Sequence, residues 1–215
     1  MIGRVAAVAC IVAATAAATP PEGPRVNPKN PAGRGGAATD DLMVLLPVPD
    51  SPLVSFRFQF RTGAADDPVE LQGVTAATAL TVAEGGTADL TRRQVIDRLY
   101  PMAASIGVLV DHEVTTFTGQ VHRDQAMEFY QLIASILKAP RFDEADFRRS
   151  RDQLVASIAS DLRGHDDEEL AKETLNASIF FGHPYGHPVA GTVQWLKSLR
   201  LEQVKGHWAR QFQRS

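Results

Sequence analysis

Val54-Ser55-Phe56-Arg57-Phe58-Gln59-Phe60-Arg61 alternates apolar and polar residues without a break, so Val54, Phe56, Phe58 and Phe60 share one face of a half-buried strand. Leu42-Met43-Val44-Leu45-Leu46, just before it, reads as another strand of the same sheet. Further on, Ser105 to Val110 and Glu113 to His122 alternate across an Asp111-His112 turn, which predicts a hairpin. Val114, Thr116, Thr118 and Gln120 fall on one side of it, and Thr115, Phe117 and Val121 on the other. Between the two strand pairs lie helical segments at about 70–84 and 91–103, the second opened by Thr91 as N-cap ahead of Val95, Ile96 and Leu99. Four more helices are predicted at about 124–138, 143–162, 167–181 and 201–212, with Asp124, Asp143 and Asp166 as cap candidates. The order ββααββαααα predicts a segregated α+β domain, an antiparallel-rich sheet packed by helices on one side.

The N-terminus departs from this pattern. Arg4 precedes an alanine-rich apolar run from Val5 to Ala18, which ends in small residues before Thr19-Pro20-Pro21. A charged start, a run of this length and an Ala-x-Ala site near Ala16 to Ala18 predict a signal peptide over 1–18, and hence export to the periplasm or the extracellular space. The run is too short for a comfortable membrane span. Cys10 is read as a residue of that run rather than as a lipidation site, which leaves the mature chain without a cysteine and without a disulfide. Residues 19–40, rich in Pro, Gly, Ala and Arg, read as a flexible linker, and the folded domain is expected over 41–215.

Charge narrows the range of partners. The net charge is −3, and Arg148, Arg149 and Arg151 are interleaved with Asp146 and Asp152, so they form a solvated helix face rather than a phosphate-binding stripe. Nucleic acid is not indicated.

Three segments carry a resemblance. They are the Gly63 to Pro68 turn after the alternating strand, the stretch from Gly73 through Ala76, Ala79 and Leu80 to Gly85-Gly86-Thr87, and Gly182-His183-Pro184-Tyr185-Gly186-His187-Pro188 running on to Thr192. Together they resemble the insulinase/pitrilysin family of metallopeptidases, the inverzincins. That family carries His-x-x-Glu-His on a helix, where two histidines bind Zn²⁺ and the glutamate activates water. Aligned on Gly73 and the Gly85-Gly86-Thr87 end, those positions are Ala76, Ala79 and Leu80 here. The family's third ligand is a glutamate on a later helix; aligning Phe142 to Arg149 with that helix's start puts it at Ser157, 77 residues beyond Leu80. The resemblance implies that the chain stops, at Ser215, short of the family domain's last strands and of a second, similar domain.

Methyl, isobutyl and hydroxymethyl groups cannot replace two imidazoles and a carboxylate, because zinc needs about three protein donors at roughly 2.0–2.2 Å. No catalytic residue, metal ligand or cofactor is therefore expected at these positions. The segment His183-Pro184-Tyr185-Gly186-His187-Pro188 contains two prolines and a glycine, so its two histidines are expected on an extended loop that cannot converge on one ion. His165, Asp166 and Asp167 lie between two helices, where Asp166 is expected to cap the second. Glu84 is read as a helix-end carboxylate. His112, His122 and His207 are read as solitary, surface or satisfied core residues. Ser157 has no nearby histidine or lysine in sequence to serve as its base.

The resemblance with its ligands missing implies a catalytically inactive homologue. Its expected role is as the non-catalytic, chamber-forming subunit beside a zinc-bearing paralogue or a second homologous domain, binding peptides or unfolded protein. Two alternatives stand beside it: an active zinc endopeptidase whose ligands lie elsewhere, and a structural scaffold subunit of an envelope complex.

Overall fold

The computed structural model describes residues 9–13, 43–48, 50–162, 164 and 167–212. Five strands form one sheet: β1 (Ala9–Ala13), β2 (Met43–Leu46), β3 (Leu53–Phe60), β4 (Ser105–Val110) and β5 (Thr115–His122), in the order β2-β1-β3-β5-β4. β3, β5 and β4 are antiparallel neighbours, with Phe58 opposite Phe117 and Val108 opposite Phe117 on the other side. The helices are α1 (Val74–Glu84), α2 (Arg92–Leu99), α3 (Ala126–Lys138), α4 (Glu144–Ala156), α5 (Asp167–Ile179), α6 (Val193–Ser198) and α7 (Leu201–Gln211). This is an α+β fold.

Strand alternation places the core. Phe56, Phe58 and Phe60 of β3 and Phe117 and Val121 of β5 point to one side, where they meet Ala79 and Val82 of α1, Phe129, Ile133 and Ile136 of α3, and Trp208 of α7. Phe60 and Phe117 meet edge to face at 5.8 Å, and Trp208 stacks on Phe212 at 4.6 Å, arrangements that add to plain area burial. A second cluster lies on the far side of α1: Val74 and Ala77 pack with Phe147 of α4, Ile158, Leu196 of α6 and Val204 of α7. Helix α1 therefore runs between the sheet and the outer helices.

That position explains its composition. A helix in contact all round must be apolar or small all round, and α1 is built from Ala, Thr, Val, Leu and one Glu, with nine of its eleven residues buried. Its start is fixed by Gly73, whose φ of 94° is left-handed and favours glycine. A Cβ on Gly73 would also stand 2.6 Å from Ala190 O, so the 188–192 loop can press directly against the beginning of α1.

The sequence pattern is corrected at several boundaries. The apolar run assigned to a leader contains β1, because Cys10, Ile11 and Val12 pair with both β2 and β3. The rest of 1–18 and all of 19–40 lie outside the described residues. The expected 70–84 helix begins only at Val74, after a 3₁₀ turn at Val69–Leu71. The expected 91–103 helix ends at Leu99, since the following turn takes Ala103 to a φ of 47°. Helix α3 starts after a 3₁₀ turn capped by His122, so Asp124 is inside the turn and is not the cap. Thr91 and Asp143 do cap α2 and α4. The predicted 143–162 helix changes at Ser157 to a π-helical turn, Ser157–Leu162. Helix α6, capped by Thr192, is too short at six residues to show a periodic signal and was not expected. Asp166 lies outside the described residues.

Gly119 of β5 lets the Phe129 ring lie directly on the strand backbone, where an added Cβ would overlap it. Gly119→Ala is expected to lower stability in urea unfolding by about 1–3 kcal/mol, the usual cost of overpacking; an unchanged midpoint would contradict this packing.

Candidate functional site

The four positions assigned from sequence fall on α1 and at the junction of α4 with its π-helical turn. Ala76 and Ala79 are buried, Ala79 fully; Leu80 is half-buried and Ser157 is exposed. Ala79 belongs to the aromatic core, while Ala77 and Ile158, each adjacent to one of these positions, pack together in the second cluster. α1 and α4 thus pack against one another, with Ala77, Phe147 and Ile158 in one apolar cluster.

The charges at this helix pair sit one turn further along. Glu84 accepts a hydrogen bond from Gln153 at 3.3 Å and lies 4.0 Å from Arg149 Nε, and Arg149 donates to Asp146 at 2.9 Å. A carboxylate at a helix C-terminus opposes the helix dipole, and these α4 side chains offset it. Glu84 is a helix-end carboxylate tied to the neighbouring helix, as its place in the sequence implies.

His183 caps a 3₁₀ turn at Pro184–Gly186, with Nδ1 accepting from Tyr185 N at 3.2 Å. A turn of helix therefore interrupts what the sequence predicts as extended loop. His187 Nδ1 is 3.0 Å from Pro188 O. The loop docks on the β4–β5 turn: Tyr185 donates its hydroxyl to Glu113, which pushes the Tyr185 pKa up, and its ring packs 5.1 Å from His112. Among the described residues, no group of three or more His, Cys, Asp or Glu side chains gathers closely enough to hold a metal ion. The residues at the expected zinc positions do not fit the ion: they offer one exposed hydroxyl and no imidazole or carboxylate.

A buried polar cluster at the start of α1 was not foreseen from sequence. Asp67 accepts from Gly73 N at 2.6 Å, Thr75 N at 3.0 Å and the Thr75 hydroxyl at 2.6 Å. Thr75 Oγ1 is also 2.7 Å from His207 Nε2 on α7, and His207 is 1% exposed. Asp67 supplies acceptors for amides that a Gly73 N-cap, lacking a side chain, leaves open. The only signal in the sequence was an acidic residue shortly before a helix. Burial raises the Asp67 pKa to about 6 against the hydroxyl and amide bonds that lower it, and burial lowers His207 to about 4.

These two shifts act on stability with opposite signs. The raised Asp67 contributes stability fully present below its unfolded pKa of about 4 and lost as pH rises through 6. The depressed His207 contributes stability present above about 6.5 and lost as pH falls through 4. The natural chain is thus expected to show a nearly flat contribution from this pair across about pH 4 to 6. In urea unfolding, Asp67→Asn should gain stability as pH rises through that window and His207→Gln should lose it; slopes of the same sign would refute the assignment.

Comparisons with known proteins follow this geometry. The family model described as "Insulinase (Peptidase family M16)" matches residues 43–193. The chain is 24% identical over 122 residues to the probable mitochondrial-processing peptidase subunit beta of Arabidopsis thaliana, covering 57% of this chain and 23% of that protein. It is 23% identical over 162 residues to the non-peptidase homolog YmxG of Helicobacter pylori, covering 75% of this chain and 37% of that protein. The chain thus spans well under half the length of these relatives. Among solved structures, the peptidase M16 inactive domain from Pseudomonas fluorescens superposes with a TM-score of 0.64 at 21% identity, over 74% of this chain and 38% of that one. Pitrilysin superposes with a TM-score of 0.67 at 15% identity, over 77% of this chain and 18% of that one.

If the α1 and α4 assignments hold, donors placed there should recreate a site. Ala76→His, Leu80→His and Ser157→Glu combined are expected to give one zinc per chain by elemental analysis after dialysis. Ala79, being in the core, is left unchanged. A folded triple variant that takes up no zinc would refute the assignment of Ser157.

Proposed function

The chain belongs to the insulinase family (peptidase family M16), and from that premise we propose that it is an exported, non-catalytic member that binds extended peptides beside a zinc-bearing homologous subunit or domain. The observation that carries this reading is α1 itself, whose Ala76, Ala79 and Leu80 hold neither donor nor base. The similarity to a non-peptidase homolog and to an inactive domain supports it. Export is supported by the likeness to the periplasmic protease PqqL from Escherichia coli, matched with a TM-score of 0.65 at 12% identity. No helix among the described residues is long and apolar enough to cross a membrane.

Peptide binding would use the edge of the sheet. β4 is bonded on one side to β5 and is the last strand in the order, so its other edge can accept a further strand through backbone hydrogen bonds. α1 lies against this strand. A cavity of about 280 Å³ opens beside the start of β4, lined by Val95, Ile96, Leu99, Ala104 and Ile106 with Glu84 and Arg92 at hand. It would take one apolar side chain of the added strand.

Calorimetry with an unstructured peptide carrying leucine or phenylalanine is expected to show binding, and N-methylation of alternate amides should weaken it at least about tenfold. Equal affinity for the methylated peptide would contradict strand addition. Adding the chain to a zinc-bearing homologue that is its natural partner is expected to raise peptide turnover, and an unchanged rate would count against the partner role.

A further inference from the structure

The cluster of Asp67, Thr75 and His207 contains more close contacts than it has hydroxyl hydrogens. Thr75 Oγ1 stands 2.6 Å from Asp67 Oδ1 and 2.7 Å from His207 Nε2, distances at which each contact needs a hydrogen between the heavy atoms. Thr75 supplies one. The second must come from one of its neighbours; Gly63 O is a further acceptor for the Thr75 hydroxyl but stands farther off, at 3.2 Å, so the two short bonds favour one of two directions. In one, His207 Nε2–H donates to Thr75, which donates to the Asp67 carboxylate. In the other, a protonated Asp67 donates to Thr75, which donates to an unprotonated Nε2, and His207 carries its hydrogen on Nδ1.

We propose that the Asp67–Thr75–His207 chain is a built-in acid-responsive relay, in which protonation of Asp67 reverses the direction of both hydrogen bonds and switches neutral His207 from its Nε2–H to its Nδ1–H form. One proton enters from solvent. Asp67 Oδ1 gains a hydrogen, the Thr75 hydroxyl turns from Asp67 to His207, Nε2 loses its hydrogen and Nδ1 gains one, so the cluster goes from two mobile hydrogens to three with no change in the number of bonds.

The surroundings favour reversal over an internal ion pair. All three side chains are buried, Thr75 completely, and a carboxylate and an imidazolium held apart by a hydroxyl would both lose solvation. The charged and titratable groups that face the chain are few: His187 acts on Asp67, and Arg210 and Asp66 act on His207 with opposite signs. Asp66 is itself held by the Thr62 hydroxyl at 2.9 Å and the Gly63 amide at 3.2 Å. The order of titration agrees, with Asp67 at about 6 taking its proton before His207 at about 4. The consequence is mechanical. The segment before α1, α1 itself and α7 stay tied together on both sides of the transition, whereas a direct carboxylate–imidazolium pair would be lost once the carboxylate protonates.

The test is nitrogen-15 NMR of the His207 ring in the full chain from about pH 7.5 to about pH 5, with the Asp67 carboxyl carbon followed in parallel. The expected result is a neutral ring throughout that changes from Nε2–H to Nδ1–H with the same midpoint as the Asp67 carboxyl. In Asp67→Asn the change should vanish over that range. A single tautomer throughout, an imidazolium forming where Asp67 titrates, or a switch that persists in Asp67→Asn would each overturn the proposal. The wild-type carboxyl and ring midpoints decide it even if the variant does not fold.

Discussion

Burial of α1 on nearly every side is the constraint from which the rest of the structure follows. A helix pressed between a sheet and an outer layer of helices can carry only side chains that its neighbours leave room for. Here those are mostly methyls, isopropyls and threonine hydroxyls. Each buried hydroxyl needs a partner, and two of them find one locally: Thr81 bonds back to Ala77 O at 2.6 Å, and Thr75 joins the Asp67 cluster. The same close packing decides the chemistry. Ala76 and Ala79, which the resemblance aligns with a histidine and the glutamate, are among these buried small residues.

The two ends of α1 are held by different means. At the start, the backbone of Gly73 fits against the 188–192 loop, and the Asp67 carboxyl accepts the amides of Gly73 and Thr75, a favourable placement for an acid near a helix N-terminus. At the finish, Glu84 is held by Gln153 and faces Arg149, so side chains of α4 bridge the two helices. The loop carrying His183 and His187 is likewise secured by packing and by the bond from Tyr185 to Glu113. Each histidine in these segments has a structural neighbour, and no three donors converge among the described residues.

Much of this was legible in the sequence because it rests on local periodicity. The Phe56, Phe58 and Phe60 face and the Phe117 and Val121 face follow from strict alternation, and the Thr91 and Asp143 caps follow from backbone chemistry within three residues. What was missed depends on distant contacts or on short elements. The Thr75–His207 bond joins residues 132 positions apart, so nothing near His207 announces it. α6 is shorter than two helical turns, and the π-helical turn at Ser157 keeps a helix-like composition while changing its pitch. β1 lies in a run whose apolar, β-branched centre suits a strand as well as a leader, and periodicity cannot separate the two. At the site itself, the sequence supplies the side-chain chemistry directly: Ala76, Ala79 and Leu80 carry alkyl groups and Ser157 a single hydroxyl.

The central claim is that the face where α1 meets α4 offers no coordination sphere for a hydrolytic cation. Metal content of the purified protein, measured by mass spectrometry after exposure to zinc and gel filtration, tests it most directly. The account predicts far less than one zinc per chain and unfolding behaviour that chelator leaves unchanged. One tightly held zinc per chain, removed by chelator together with peptide cleavage, would contradict it.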